Sequence, residues 1–494
     1  MVPVELRDER QLGVPAEHWP LILWLLQQRK HRGLEVTQCR AEAGQADDQD
    51  GKRAVFAAPS PRKEVESHVD FSAYLEMLPR LPDLGHMPML WPSEHLGLLR
   101  GSHALHRVRQ ERTALLKTYW WARRRSPFFE ELAPAFGDFV WACLIVNSRN
   151  FECRVDGEPT TALVPFIDML NHHRPKQTRW IYDRAERAFE LWTEKAHRLG
   201  EELFDSYGAK PNHELLVDFG FCVHPNLDSM GGGLDEVEIV ISLPDVAADD
   251  ADFWCIDQSF PDPGGKDERE DVDGEVWLLG EEGVDENAET SSGTLEPPGH
   301  RDDDAASQGP RTEILGRCIH LFVAEQDDAA FFQLLSICRA KAADSQPLKA
   351  WAGRGKTALS LTVQDSTLLL ESRAWGIIRE LCEKKLSAYA LKEEEASWGP
   401  EEASWEPEEA SWGPQEAGAA SEVNRCNALR LIDGERKILR WLMHMVESLL
   451  GMESEASRRE GGACGDFGDA ILRRYQQRSW QLLLDRATKE GSVQ

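Results

Sequence analysis

Ser148-Arg149-Asn150-Phe151, Leu163-Val164-Pro165-Phe166-Ile167-Asp168-Met169-Leu170-Asn171-His172, Gly200-Glu201-Glu202-Leu203-Phe204-Asp205-Ser206-Tyr207-Gly208 and Asn212-His213-Glu214-Leu215-Leu216-Val217-Asp218-Phe219-Gly220-Phe221 succeed one another between residues 147 and 226. Their order decides the fold. Just before them, Phe136, Phe139, Val140, Cys143 and Leu144 repeat at i, i+3, i+4, i+7 and i+8, which predicts a well-buried helix ending near Asn147. Beyond that helix the chain reads as β. Ala162 to Ile167, Trp180 to Asp183, Ala188 to Thr193 and Glu202 to Ser206 are short, partly alternating runs parted by Gly, Pro or charged turns, and Val237 to Leu243 is a further strand candidate.

Upstream, Pro20 to Gln28 carries Leu21, Trp24 and Leu25 at helical spacing, and Phe71 to Leu78 and Ser93 to Arg124 read as short helices. Val36 to Ser67 lacks periodicity and reads as an exposed insertion. Downstream, residues 257–304 hold 17 Asp/Glu against three basic residues, a local charge of -14. Such a block repels itself and buries little, so roughly 257–312 is expected to be a disordered acidic insertion. Helical periodicity is then read over Ile314 to Lys341, Ser366 to Ala390 and Leu429 to Leu450. Between Glu394 and Pro414 the units EEASWGP, EEASWEP and EEASWGP repeat, and the Pro in each forbids a continuous coiled coil.

With 494 residues the chain exceeds one cooperative core, so two or three domains are expected. Its 56 Lys+Arg against 86 Asp+Glu give a formal charge of -30, the wrong sign for binding a phosphate backbone, so no nucleic-acid ligand is expected. The longest apolar stretches, Leu21 to Leu26 and Phe139 to Val146, fall far short of a membrane span, and no membrane association is expected. A secretory signal is not read at Met1-Val2-Pro3, so a reducing compartment is expected, whether cytoplasmic, nuclear or plastid. The ten cysteines form no CxxC pair, and no metal site is expected. Two decoys fall away. Gly353-Arg354-Gly355-Lys356-Thr357 lacks the first glycine of a phosphate loop, because Ala350 stands there, and Asp466-Phe467-Gly468 has no accompanying kinase motifs.

The four ordered stretches resemble the core of SET-domain methyltransferases of the Rubisco large-subunit methyltransferase type, which reads S-R-x-F, L-x-P-x-x-D-x-x-N-H, G-E-E-x-x-x-S-Y-G and N-x-E-L-L-x-x-Y-G-F. Phe71 to Leu105, with F-x-x-Y-x-x-x-L-P and P-x-x-W elements, is similar to that family's helical insert, and Leu429 to Leu439 is similar to its C-terminal helical domain. The resemblance implies an α+β fold: a β-rich SET domain with a helical insert and a C-terminal helical substrate-binding domain. It implies an N-terminal remnant of the SET region at 1–35, a disordered insertion at 36–67, a helical insert at 68–135 and a SET catalytic core at 136–226. A C-terminal helical domain then takes 227–256 and 313–494, interrupted by the acidic insertion at 257–312 and carrying the tryptophan repeats at 394–414.

By the same resemblance the chain is expected to move a methyl group from S-adenosyl-L-methionine to a lysine amine of a protein substrate, working as a monomer. Such a site must hold a polarised methyl in line with a neutral amine, which a tyrosine hydroxyl and backbone carbonyls can do by weak C–H···O contacts. A lysine at its reference pKa of roughly 10.4 costs about 4.6 kcal/mol to neutralise at pH 7, so an apolar channel that desolvates it lowers the barrier. Carried over residue by residue, Tyr207 looks like the catalytic tyrosine, against the alternative of a core tyrosine with a satisfied hydroxyl. Asn171 and His172 resemble the pair whose backbone groups hold the adenine, and Arg149 and Asp168 resemble residues framing the cofactor pocket. Phe219 stands where the family often has a second tyrosine, and Phe219 and Phe221 are either channel walls or plain core. Phe151 and Ile167 occupy the places where histidine-methylating relatives have Asn and Trp, which favours lysine as acceptor.

One element of the family pattern is missing. Such domains open with a Gly-x-Gly strand segment packed against the cofactor, and Met1-Val2-Pro3 begins about where that segment would have ended. Either the sequence as given is incomplete at its N-terminus, or the chain is expected to be a catalytically impaired SET-like interaction module; a protein-histidine methyltransferase is the other alternative that the resemblance leaves.

Overall fold

A computed structural model describes residues 14–31, 71–132, 134–155, 158–228, 230–242, 312–315, 318–324, 328–343, 345–352, 354, 356–359, 361, 368–391 and 417–458. The expected insertions at 36–67 and 257–312, the repeats at 394–414 and Asp466-Phe467-Gly468 lie outside them, except Thr312, which opens a strand rather than closing a disordered segment.

The predicted buried helix is the centre of the core. It runs Phe136–Arg149 (α6), and residues 136 and 139–146 are all buried, so it is wrapped on every side. Trp19, in the helix over residues 19–31 (α1), meets Phe129 and Phe139 at ring distances of 6.2 and 6.0 Å. Each such fully buried apolar side chain contributes about 1.5–3 kcal/mol. Ser72–Met77 (α2), Ser93–Leu98 (α3), His103–Arg125 (α4) and Pro127–Leu132 (α5) supply the rest of the helical part. The side chain of Ser102 caps α4 by accepting from the Ala104 N–H at 3.2 Å, while its own Oγ–H donates to Glu435.

After α6 the chain turns to strand. Asn150–Val155 (β1) pairs antiparallel with Glu158–Leu163 (β2), Asn171–His172 (β3) pairs parallel with Phe204–Asp205 (β6), and Thr178–Asp183 (β4) pairs antiparallel with Ala188–Thr193 (β5). The expected strand at Ala162 to Ile167 is shifted. Pairing stops at Leu163, and the chain breaks at Phe166, which has φ of 72°, into a 3-10 turn over Ile167–Met169. The apolar run 162–167 suits a strand equally well, but Pro165 has no N–H to give to a ladder. Asn212–Phe219 (α7) then closes the stretch, with Gly220 at φ 82° as its left-handed cap.

A second correction concerns Ile314 to Lys341. Only its later part is helical. Thr312–Leu315 (β8) and Cys318–Ala324 (β9) are strands, with β9 between β8 and Glu236–Ser242 (β7). Helices Asp328–Ala342 (α8), Ser345–Ala352 (α9), Leu368–Ala388 (α10) and Ala417–Arg458 (α11) complete the C-terminal part. The α+β class read from the sequence is therefore what the structure shows, with a three-stranded sheet inside the part expected to be helical. Among the described residues no helix is long and apolar enough to cross a membrane.

Candidate active site

The candidate site lies where three short segments meet: the stretch 167–172, the end of β6, and the end of α7. Asn171 and His172 lie beside Phe204 and Asp205 in the parallel pair β3–β6, so the residues after β6 are delivered to the same place. Tyr207 is fixed there at both ends. Its backbone N–H donates to His172 Nδ1 at 2.9 Å, and its phenol donates to the Leu170 carbonyl at 2.8 Å. Burial pushes the Tyr207 phenol up to about 12, with Arg149 opposing and the charges of Asp205 and Asp168 adding to the rise, so it stays protonated at neutral pH.

His172 is held neutral. Burial, joined by the nearby positive charges of Arg174 and His173, lowers its pKa to about 3. Nδ1 accepts from Tyr207, and Nε2 faces a donor as well. Arg174 lies 3.2 Å from that Nε2 and is itself tied down, donating through Nη1 to Asn226 Oδ1 at 2.8 Å. The Asn171 side chain points elsewhere, donating to Glu202 Oε1 at 2.7 Å.

Four rings close round this point. Tyr207 lies 5.2 Å from His172, 4.8 Å from Phe219 and 6.0 Å from Phe221, and Phe221 lies 5.8 Å from His172. The cap at Gly220 makes this possible by reversing the chain between the two phenylalanines. A Cβ at Gly220 would fall 2.4 Å from His86 Cδ2, so only glycine fits both the φ and the space.

Below the rings, Arg149 returns from the end of α6 to donate to the Asp168 carbonyl at 2.8 Å and to Met169 Sδ at 3.4 Å. Asp168 accepts from the Tyr74 hydroxyl at 2.6 Å, and its Oδ1 is buried without a hydrogen-bond partner among the described residues. Burial pushes the Asp168 carboxyl up from its ordinary value, against the pull of Tyr74 and Arg149. Tyr74 is pushed well above the ordinary phenol range by burial and by the Asp168 charge.

The structure thus brings together Tyr207, His172, Phe219 and Phe221 directly, with Asp168 and Arg149 beneath them through the 168–170 backbone. Phe151 and Ile167 sit in a separate small apolar cluster with Val164, where Phe151 meets Trp180 edge-on at 5.1 Å. Sequence reasoning passed over Tyr74, His86 and Arg174. Tyr74 stands in the F-x-x-Y element, so a signal was present, while nothing local marks His86 as the neighbour of Gly220. Among the described residues no group of three His, Cys, Asp or Glu side chains could hold a metal ion. A protonated phenol anchored on a carbonyl, surrounded by aromatic faces, suits a soft organic cation rather than a metal or an anion.

No protein-family model matches the chain. Among curated proteins it is 35% identical over 95 residues to the ribosomal lysine N-methyltransferase set10 of Schizosaccharomyces pombe, covering 18% of this chain and 17% of that protein. It is 30% identical over 165 residues to the human SET domain-containing protein 4, covering 30% and 36%, and 25% identical over 182 residues to the actin-histidine N-methyltransferase of Drosophila melanogaster, covering 32% and 34%. The matched segments span between about a sixth and a third of the length of these relatives. Among solved structures, the SET domain of LSMT bound to lysine and AdoHcy aligns over 83% of this chain and 80% of that one, at 17% identity and a TM-score of 0.49. Rubisco LSMT bound to AdoMet aligns over 82% and 78%, at 16% identity and a TM-score of 0.48. In sequence, then, this chain is similar over 95 to 182 residues to SET-domain proteins and protein methyltransferases.

Proposed function

We propose that this protein is a protein-lysine N-methyltransferase that uses S-adenosyl-L-methionine. The observation that carries the reading is the convergence of Tyr207, His172, Phe219 and Phe221 on one point, with the Tyr207 phenol held on the Leu170 carbonyl. The residues present fit the cofactor by their donor chemistry. Aromatic faces and carbonyl oxygens suit a sulfonium, the partly exposed Arg149 guanidinium suits a carboxylate, and the orphaned Asp168 Oδ1 suits a hydroxyl or ammonium donor.

The cofactor, when bound, supplies a methyl group on a positively charged sulfur. Tyr207, protonated at neutral pH, uses its O–H on Leu170 and keeps its lone pairs for polarised C–H groups. Neutral His172 holds the Tyr207 backbone without adding a charge that would repel a cation. Phe219 and Phe221 exclude water, which favours the uncharged form of an incoming amine. Phe151 and Ile167 stand where histidine-methylating relatives have Asn and Trp, and this supports lysine over histidine as acceptor. The substrate is a protein.

The test is incubation with labelled S-adenosyl-L-methionine and a lysate depleted of endogenous methylation. Wild type is expected to label protein lysine, and Tyr207→Phe to lower the rate about 100-fold while retaining cofactor binding. Equal labelling by both proteins, or label found on groups other than lysine, would overturn the assignment.

A further inference from the structure

The pocket wall formed by Phe219, Gly220 and Phe221 is gripped from the far end of the chain. Asn427, buried in α11, faces the backbone on both sides of Phe221: its Nδ2 donates to the Gly220 carbonyl at 3.2 Å, and its Oδ1 accepts from the Cys222 N–H at 3.1 Å. One turn on, Arg430 donates to the Cys222 carbonyl at 3.2 Å. His86 stands where a Gly220 Cβ would lie. Within the wall itself, α7 holds on through its cap, the Gly220 N–H reaching Leu216 O at 2.9 Å, whereas the Phe221 N–H reaches Leu215 O only at 3.5 Å.

We infer that Asn427 is a positioning residue for the pocket: its primary amide, by reading one acceptor and one donor across a single residue, sets the place of the Phe221 ring against His172 and Tyr207. An amide is the side chain this requires. It carries a donor and an acceptor on one carbon, and a carboxylate would set a second oxygen against the Gly220 carbonyl. The segment needs such a grip because it comes after a left-handed cap, where no ladder or further helical turn continues. Ile432, Leu431 and Ala428 are buried around the clamp, so α11 is itself anchored, and Asn427 presents a fixed amide rather than a mobile one. The link from clamp to cofactor affinity rests on the methyl-transfer reading; the link from clamp to wall does not.

The experiment separates these. Hydrogen–deuterium exchange is measured by mass spectrometry in wild type, Asn427→Ala and Asn427→Asp, with the β4–β5 hairpin as an internal control. Calorimetric titration with S-adenosyl-L-homocysteine is run on the same proteins. Asn427→Ala is expected to speed exchange about tenfold in the peptide spanning residues 219–223 while the hairpin stays unchanged, and to weaken S-adenosyl-L-homocysteine about tenfold. Asn427→Asp, which keeps the bond from the Cys222 N–H but sets an oxygen against the Gly220 carbonyl, should also speed exchange at 219–223 relative to wild type. Should Asn427→Ala fail to fold, Asn427→Asp alone carries the comparison. Unchanged exchange at 219–223, or exchange raised equally in the hairpin, overturns the inference, as does faster local exchange with undiminished affinity. A wild type that ignores S-adenosyl-L-homocysteine while its wall still responds to the substitutions overturns the methyl-transfer reading and supports the clamp.

Discussion

Replacing Tyr74 by phenylalanine removes one oxygen from beneath the pocket and should destabilise the fold in a pH-dependent way. The Tyr74 hydroxyl donates to Asp168 Oδ2 at 2.6 Å, both residues are buried, and the other carboxyl oxygen has no hydrogen-bond partner among the described residues. The nearest remaining support is Arg149, whose Nη1 lies 3.9 Å from Oδ2. A hydrogen bond to a buried charged group is worth about 1.5–3 kcal/mol, and one to a neutral group about 0.5–1.5 kcal/mol. Burial already holds the Asp168 carboxyl above its ordinary value, so in the folded state it takes a proton more readily than in the unfolded chain. Stability from that protonation is present at low pH and lost as pH rises through the folded value, and the variant, lacking the phenol, loses more. The deficit of Tyr74→Phe should therefore be about 2 kcal/mol at pH 8 and shrink toward about 1 kcal/mol as the carboxyl becomes protonated. Urea unfolding monitored by tryptophan fluorescence at pH 8 and pH 5 measures both. A deficit under about 0.5 kcal/mol at pH 8, or one that grows on acidification, refutes the role given to the pair.

Three further outcomes are expected. Gly220→Ala forces a Cβ to within 2.4 Å of His86 Cδ2 at a φ of 82°, so it should destabilise by roughly 2 kcal/mol or more; an unchanged melting temperature would contradict that packing. His172, neutral in the fold with a pKa near 3 because of burial and the charges of Arg174 and His173, leaves the unfolded chain to take up the proton between pH 6.5 and 3. Stability should fall across that window by about 1.4 kcal/mol per pH unit from this group, and His172→Gln should show a correspondingly shallower fall in unfolding measured from pH 6.5 to 4.5; parallel slopes would exclude it. Phe219→Tyr places a hydroxyl beside Tyr207, whose ring is 4.8 Å away, and should change the number of methyl groups added as read by mass spectrometry; an identical product series counts against Phe219 as a channel wall.

The features of the fold that are local were legible for that reason. Helix α6 declared itself through apolar residues at helical spacing, and the alternating runs Trp180 to Asp183 and Ala188 to Thr193 lie in the paired strands β4 and β5. The strands β8 and β9 were not legible. Cys318–Ala324 is a short apolar run that suits helix or strand alike, and what settles it is pairing with Glu236–Ser242 across the acidic stretch, a partner that no window of sequence contains.

The same division holds at the site. Motif order named the candidate residues: a tyrosine after a short strand, an Asn-His pair, two phenylalanines flanking a glycine. Only the tertiary structure decided what those residues touch, since Tyr74 reaches Asp168 across 94 residues and Asn427 reaches Gly220 across 207. The physical reason is that a hydrogen bond or ring contact depends on separation in space, whereas sequence periodicity reports only which face a side chain takes on its own element.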